Sequence, residues 1–344
     1  ALRGEKTMTR TSAKGMLQSI AEQAGCSPST VSRVLNGCKK GFSVKRELEE
    51  RILAIANSLD YHPNPFLRVM RANDSKIIAI FDPATNSSET LHKAKAAFIG
   101  RIRQAGYLDT GKYVSLYNQE SYTLPFPVAA ALLFDISDTS FLAFLERREI
   151  PYVVINGISR EGGAAIRHDE AQNVRTAIDY LAATGHRRIV YYYGCRQEAP
   201  SHRHFSAEQR PEFFRENLRR LKLELPPDEW ALLKPAAFLK TVREEFSADA
   251  VVCYDHARTL AILRAAAEQE VRIPQELSLL SLDDEYPLDQ LPVPVAAISA
   301  SPRKMGETAA ELLLKLLDNR LPPEERCVKA AGRLMRRKSV ISRN

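Results

Sequence analysis

Over the first sixty residues, apolar positions recur at helical spacing in three short clusters. Leu17, Ile20, Ala21 and Ala24 form one stripe and predict a helix over 17–24. Gly25 ends it, as a glycine just past a helix commonly does. Ser27 and Pro28 suit the cap and first position of a new helix, which runs to Leu35 and stops at Asn36-Gly37. In that helix Val31, Val34 and Leu35 face inward, leaving Ser29, Thr30, Ser32 and Arg33 outside. A third stripe (Leu48, Ile52, Ile55, Ala56, Leu59) predicts a helix over 44–59. Two short helices joined by a glycine turn, the second polar on its outer face, make a helix-turn-helix. A generic three-helix bundle is the competing reading.

From Lys76 onward the pattern changes to short continuous apolar runs alternating with amphipathic stretches. Strands are expected at 77–81, 113–117, 129–134, 152–155, 188–193, 250–254 and 277–282. Helices are expected at 91–105, 139–148, 171–184, 211–221, 236–246, 256–270 and 302–317. This alternation reads as βαβ units with parallel sheets. Seven strands exceed one small doubly wound domain, so the body should be two sub-domains with a ligand cleft at their interface. Only about ten residues separate the runs at 113–117 and 129–134, fewer than the dozen or so a helical crossover needs. A helix is therefore expected to be missing there.

Charge sharpens the picture. Of the 344 residues, 44% are apolar and 26% charged, an ordinary globular balance, and the net charge is +7. Residues 1–73 carry 12 Lys/Arg against 6 Asp/Glu, whereas the rest carries 37 against 36. A basic head on a near-neutral body is the footprint of a nucleic-acid-binding module, although a solvated basic tail has the same charge. No apolar run is long enough to span a membrane. The polar, basic residues 1–15 do not read as a secretory signal. Cys26, Cys38, Cys195, Cys253 and Cys327 are scattered and suit a reducing cytoplasm.

Candidate chemistry in the body is sparse. There is no Gly-x-Gly-x-x-Gly loop, and no nucleophile has supporting local context. Asp283-Asp284-Glu285 follows a strand end, where open α/β sheets place ligand groups, but nothing beside it marks a catalytic acid–base pair. Cys195, His202 and His204 fit no common metal spacing and read as a polar loop. No cofactor, metal or catalytic residue is expected, and the chain does not read as an enzyme.

The run Ala24-Gly25-Cys26-Ser27-Pro28-Ser29-Thr30-Val31-Ser32-Arg33-Val34-Leu35-Asn36, with Tyr61-His62-Pro63-Asn64 after it, resembles the signature of the lactose-repressor/galactose-repressor (LacI/GalR) family. The similarity continues with gaps over nearly the whole chain, through Asp169, Thr184-Gly185-His186 and Leu282-Asp283. It implies an all-α helix-turn-helix head (16–62) and a hinge helix or linker (63–75). Behind them it implies an α/β periplasmic-binding-protein-like core of two doubly wound parallel-sheet sub-domains, 76–167 with 300–321 and 168–299 with 322–344. It further implies that Pro28, Ser29 and Arg33 read bases, with Arg33 the candidate for a bidentate guanine contact. Thr30, Ser32 and Asn36 would hold phosphates. Asn64, at the start of the hinge, would also contact DNA, and Met70 would wedge into the minor groove. Met16 stands where the family has a hydroxyl-bearing cap before the first helix.

In the cleft the resemblance assigns effector contacts to Asn156, Asp169, Arg210, Tyr254 and Asp283. An arginine opposite a carboxylate recognises polyols well, and Tyr254 would stack on a sugar face. A purely structural Arg210–Asp283 ion pair is the competing reading. The aromatic pair frequent after the first strand is absent; residues 86–90 read Asn-Ser-Ser-Glu-Thr. The implied function is a cytoplasmic homodimeric transcriptional regulator, a repressor, that binds double-stranded operator DNA. A small polar effector, a sugar, would control it from the cleft. The alternative is a regulator gated by a protein partner, or by no ligand, with a degenerate cleft.

Overall fold

The computed structural model describes residues 13–35, 43–61, 75–83, 88–114, 127–136, 139–194 and 204–343. The chain divides into two compact units, one holding the three head helices and the other both sheets.

In the head, α1 (Ala13–Ala24), α2 (Pro28–Leu35) and α3 (Arg46–Ser58) pack around Ile20, Ala21, Ala24, Val31, Ile52 and Ala56, all buried. These are the stripe residues of the sequence, closed off by Leu17, Val34, Leu35, Leu48 and Tyr61. The first helix begins four residues earlier than its apolar stripe, so Met16 lies inside α1 rather than before it. Hinge residues 62–74, and with them Asn64 and Met70, lie outside the described residues, as does Asn36.

The body holds two sheets. The first orders its strands β10-β5-β4-β3-β1-β2, every pair parallel: β1 (Ile77–Pro83), β2 (Leu108–Val114), β3 (Ala130–Phe134), β4 (Tyr152–Ile155), β5 (Gly163–His168) and β10 (Cys327–Ala330). Helices α4 (Glu89–Gln104) and α10 (Pro302–Leu317) cover one face and α5 (Thr139–Arg147) the other. Covered on both sides, β3 and β4 are buried at every position, which is why they read as unbroken apolar runs. Gly306 allows α10 to meet α4 closely, since a Cβ there would stand 2.0 Å from the Ala94 carbonyl oxygen.

The second sheet orders β11-β9-β8-β7-β6: β6 (Ile189–Tyr192), β7 (Ala250–Cys253), β8 (Ser278–Ser281), β9 (Ala296–Ser299) and β11 (Arg333–Met335). Its core strands are parallel, but β11 joins antiparallel, a departure from the all-parallel expectation. Helices α6 (Glu170–Ala183) and α7 (Ser206–Arg220) pack on one face, α8 (Pro235–Glu244) and α9 (His256–Glu268) on the other.

Three expectations need correction. The second strand is Leu108–Val114, not 113–117, so residues 115–129 separate it from β3. That is longer than the roughly dozen residues of a minimal crossover, and the premise of a missing helix fails. Residues 115–126 themselves are outside the described set. The chain makes its third passage between lobes at 331–332 rather than near 321, because Cys327–Ala330 extends the first sheet through Cys327↔Ala165 to Ala330↔His168. Residues assigned from 322 to the second sub-domain therefore belong to the first as far as Ala330. Strands β5, β9, β10 and β11 were not expected. They are short and rich in alanine or charge, with little of the β-branched signal that marks a strand.

His186 links α6 to the second sheet. Its fully buried ring meets Leu181 O at 3.0 Å through Nδ1, and Nε2 lies 2.8 Å from Ser278 Oγ. Burial holds this imidazole below its ordinary pKa, so it folds neutral. A histidine with a depressed folded pKa supplies stability above its unfolded value near 6.5, which fades as pH falls through and below that point. The loss is at most about 1.4 kcal/mol per pH unit. Urea denaturation at pH 7.5 and 5.5 should show a larger drop for the native chain than for His186→Gln, which carries no titrating group there. Equal drops would show that other groups set the acid sensitivity.

Candidate functional site

The head's outer surface follows from one turn. Gly25 adopts φ +70°, a conformation glycine enters without cost, and Cys26 N closes the α1 end on Ala21 O at 3.0 Å. Ser27 then caps α2: its Oγ accepts from Thr30 N at 3.1 Å and lies 2.8 Å from Ser29 Oγ. With Val31 buried in the head core, Pro28, Ser29 and Arg33 are exposed and Thr30 and Ser32 half-buried. Five of the expected DNA-contacting residues thus share one short helix and its exposed side.

In the body, the strand ends of both lobes border a cavity of about 330 Å³. Asn156, Arg210, Tyr254 and Asp283, all expected at the site, line it together. Arg210, 3% exposed, stands in its wall. It projects from α7, donates Nε to Glu170 Oε2 at 2.7 Å and Nη2 to Glu170 Oε1 at 3.1 Å, and gives Nη2 also to Asp283 Oδ1 at 3.0 Å. Nη1 donates to the Tyr254 carbonyl. Burial works against every charge in this cluster. The paired carboxylates nonetheless hold Arg210 above its ordinary range, and Arg210 holds Asp283 below the usual carboxylate value. The Arg210–Asp283 ion pair weighed as a structural alternative therefore exists, and it forms part of the cavity wall.

Asp169 is placed otherwise. It caps α6, accepting from Gln172 N at 3.1 Å, and does not line the cavity. Where β5 runs straight into α6, the cap side chain must turn back onto the helix's own N–H groups. Its neighbour Glu170 takes the inward position and is buried. A buried Glu beginning an amphipathic helix was the signal that could have identified it.

Tyr254 is also engaged differently from expectation. Its ring lies 4.7 Å from Tyr193, with the Arg210 and Arg258 guanidinium carbons 4.9 and 5.5 Å from its centroid. Its hydroxyl pairs with Ser206 Oγ at 2.8 Å, and burial pushes its pKa up. The ring thus packs against protein groups while Tyr254, half-buried, still lines the cavity.

Asn156 follows β4 with φ +57°, a left-handed position that Asn tolerates. Its Nδ2 donates to Asp135 Oδ1 at 2.6 Å, while Oδ1 is buried with no hydrogen-bond partner among the described residues. Its carbonyl oxygen lies 2.7 Å from His204 Nε2, joining the lobes. His204, read from sequence as part of a polar loop, is a cavity residue; Cys195 and His202 lie outside the described residues. A second bridge is made by Glu285. It accepts from Ser88 Oγ at 2.7 Å, Glu89 N at 3.0 Å and Thr90 N at 3.2 Å, placing a carboxylate on the N-terminus of α4. Asp284 is held by Arg337 through two N–H bonds, and Asp255 by Arg258 at 2.7 Å. The acidic triplet is thus split among three separate tasks. Among the described residues no group of three His, Cys, Asp or Glu side chains is arranged to hold a metal, and no helix is long and apolar enough to cross a membrane.

Comparison with known proteins matches both halves. Residues 16–64 fit the family of bacterial regulatory proteins of the lacI type, and residues 178–340 fit the periplasmic binding protein-like domain. A ribose operon repressor from Haemophilus influenzae is 25% identical, with 88% of this chain and 92% of that protein aligned. The HTH-type transcriptional regulator GntR of Pseudomonas aeruginosa is 26% identical over 90% and 91%. The Lac repressor dimer bound to operator and the anti-inducer ONPF shares the fold, with TM-score 0.78, 20% identity, and 94% and 98% covered. A CelR–cellobiose complex does so at TM-score 0.64 and 21% identity, with 94% and 99% covered. With the reader head and the two-lobed sensor matched in the same order on one chain, this protein belongs to the LacI/GalR family of DNA-binding transcriptional regulators.

Proposed function

We propose that this chain acts in the cytoplasm as a homodimeric repressor, one head on each half-site of a pseudo-palindromic operator. Release would follow when a small polar effector, a carbohydrate, occupies the cleft. The observation carrying this reading is the 330 Å³ cavity, bordered by hydrogen-bonding groups from both lobes, on a chain that begins with a DNA-reading head. A molecule that touches Asn156 on one lobe and Asp283 on the other binds one lobe arrangement better than another, and differential affinity is what shifts an equilibrium. The sugar-complexed relative supports a carbohydrate as the effector. A second reading, gating by a protein partner or by no ligand, draws on Glu285, whose own carboxylate bridges the lobes.

The head assignment is tested through Arg33. Arg33→Ala should weaken the specific operator by roughly 1–3 kcal/mol and random DNA far less, read by fluorescence anisotropy at fixed salt. Equal losses would make Arg33 a phosphate contact.

The cleft assignment is tested by titration calorimetry of monosaccharides and disaccharides into the full chain. A binder should lower operator affinity, and Asp283→Asn should weaken that binder about tenfold or more by removing a charged hydrogen-bond acceptor. A complete screen with no heat for any sugar would favour the partner-gated reading.

Sedimentation at micromolar concentration should show a dimer. A monomer would remove the two-half-site arrangement.

A further inference from the structure

The donors and acceptors around Arg210 do not suit every polar ligand equally. A guanidinium takes a carboxylate or phosphate through two parallel N–H groups. In Arg210 the Nε/Nη2 pair is already given to both oxygens of Glu170, the second Nη2 hydrogen to Asp283, and one Nη1 hydrogen to the Tyr254 carbonyl. A single N–H of the five is left without a partner among the described residues, and one N–H cannot form a fork. Arg258, the other arginine in the wall, gives Nε to the Tyr193 carbonyl at 3.1 Å and Nη1 to Asp255. Its Nη2 has no partner among the described residues, but its charge is already matched by that carboxylate, so Arg258 brings no net positive charge to an acid.

The charge count points the same way. Asp135, Asp255, Asp283, Asp284 and Glu285 border the cavity with Arg210 and Arg258. Behind them stand Glu170 on Arg210 and Arg337 on Asp284. Carboxylates therefore outnumber arginines two to one. Of the three histidines in the wall, burial holds His168 below its ordinary value, so it adds no positive charge at neutral pH. Among the described residues the buried Asn156 Oδ1 accepts no hydrogen bond, and Asp283 gives Arg210 only one of its oxygens. Both can accept from a hydroxyl or an ammonium, and neither can do so from a carboxylate.

We infer that Glu170 makes the cleft a charge filter: it takes neutral or amine-bearing polyols and turns away acids of the same skeleton. Glu170 does this from behind, as a positioning residue, by occupying the fork of Arg210 that an anionic ligand would need. The inference rests on the cleft being the effector site and narrows what that effector can be.

The test uses the full-length protein and two probes. The first is calorimetry with matched triplets, glucose, glucosamine and glucuronate, and galactose, galactosamine and galacturonate. In any triplet that binds, the acid should be at least about tenfold weaker than its neutral or amino partner, and Glu170→Gln should narrow that ratio. An acid binding as tightly as its neutral partner overturns the inference while leaving the effector reading intact. The second probe is inorganic phosphate in thermal unfolding. Phosphate should raise the melting temperature of Glu170→Gln by more than it raises that of the native chain, because the amide carries no charge and can accept from only one of the two Arg210 N–H groups. Equal shifts in both proteins overturn the inference. Phosphate stabilisation confined to the variant, with no sugar of any charge bound, would keep the filter and overturn the carbohydrate reading. Should Glu170→Gln not fold, the triplet ratio of the native chain decides alone.

Discussion

A guanidinium taken out of water must find partners for its charge and its N–H groups, and Arg210 finds them on three pieces of chain besides its own helix. It projects from α7, reaches Glu170 at the start of α6, and meets the segments that leave β7 at Tyr254 and β8 at Asp283. Each partner alone would leave a buried charge half-compensated, a state that costs several kcal/mol. Together they hold the strand ends of the second sheet and two of its helices in one register. The cavity wall is a consequence of that arrangement, since Tyr254, Ser206 and Asp283 face it from positions the cluster sets.

The two lobes meet through fewer and more polar contacts. His204 on Asn156 and Glu285 on the start of α4 lie on the rim of the cavity, not in an apolar core. Each lobe keeps its own hydrophobic clusters, with α4 and α10 against the first sheet and α6 to α9 around the second. Rigid lobes joined by exchangeable hydrogen bonds are what a two-state sensor requires. Close-packed cores resist deformation more than the few hydrogen bonds between the lobes do. Glu285 supplies the α4 N-terminus with a carboxylate from the chain itself.

The head reaches stability by different means. Its helices are of 12, 8 and 13 residues, short enough to be marginal alone. The buried set from Ile20 to Ala56 joins all three, and the Ser27 cap satisfies the Thr30 N–H in the first turn of α2. Because Val31 anchors α2 inward, its other face is left to polar side chains and Arg33.

Periodicity alone determined the helices and the buried strands, because their burial repeats within a few residues and needs no knowledge of what lies opposite. It located α2 and α10 to the residue and the core strands β3, β4, β6, β7 and β8 to within one. The family signature brought Arg210, Asp283, Asn156 and Tyr254 to one site. Tertiary structure decided what depends on a distant partner. Strands β5, β9, β10 and β11 are made by pairing across the sheet rather than by their own alanine-rich or charged residues. The third passage at 331–332 followed from that pairing. The exchange of roles between Asp169 and Glu170, one residue apart, turns on which side chain the β5–α6 junction aims inward, a matter of backbone direction that composition does not carry. The engagement of Arg210 by Glu170, forty residues away in sequence, likewise exists only once α6 and α7 lie side by side.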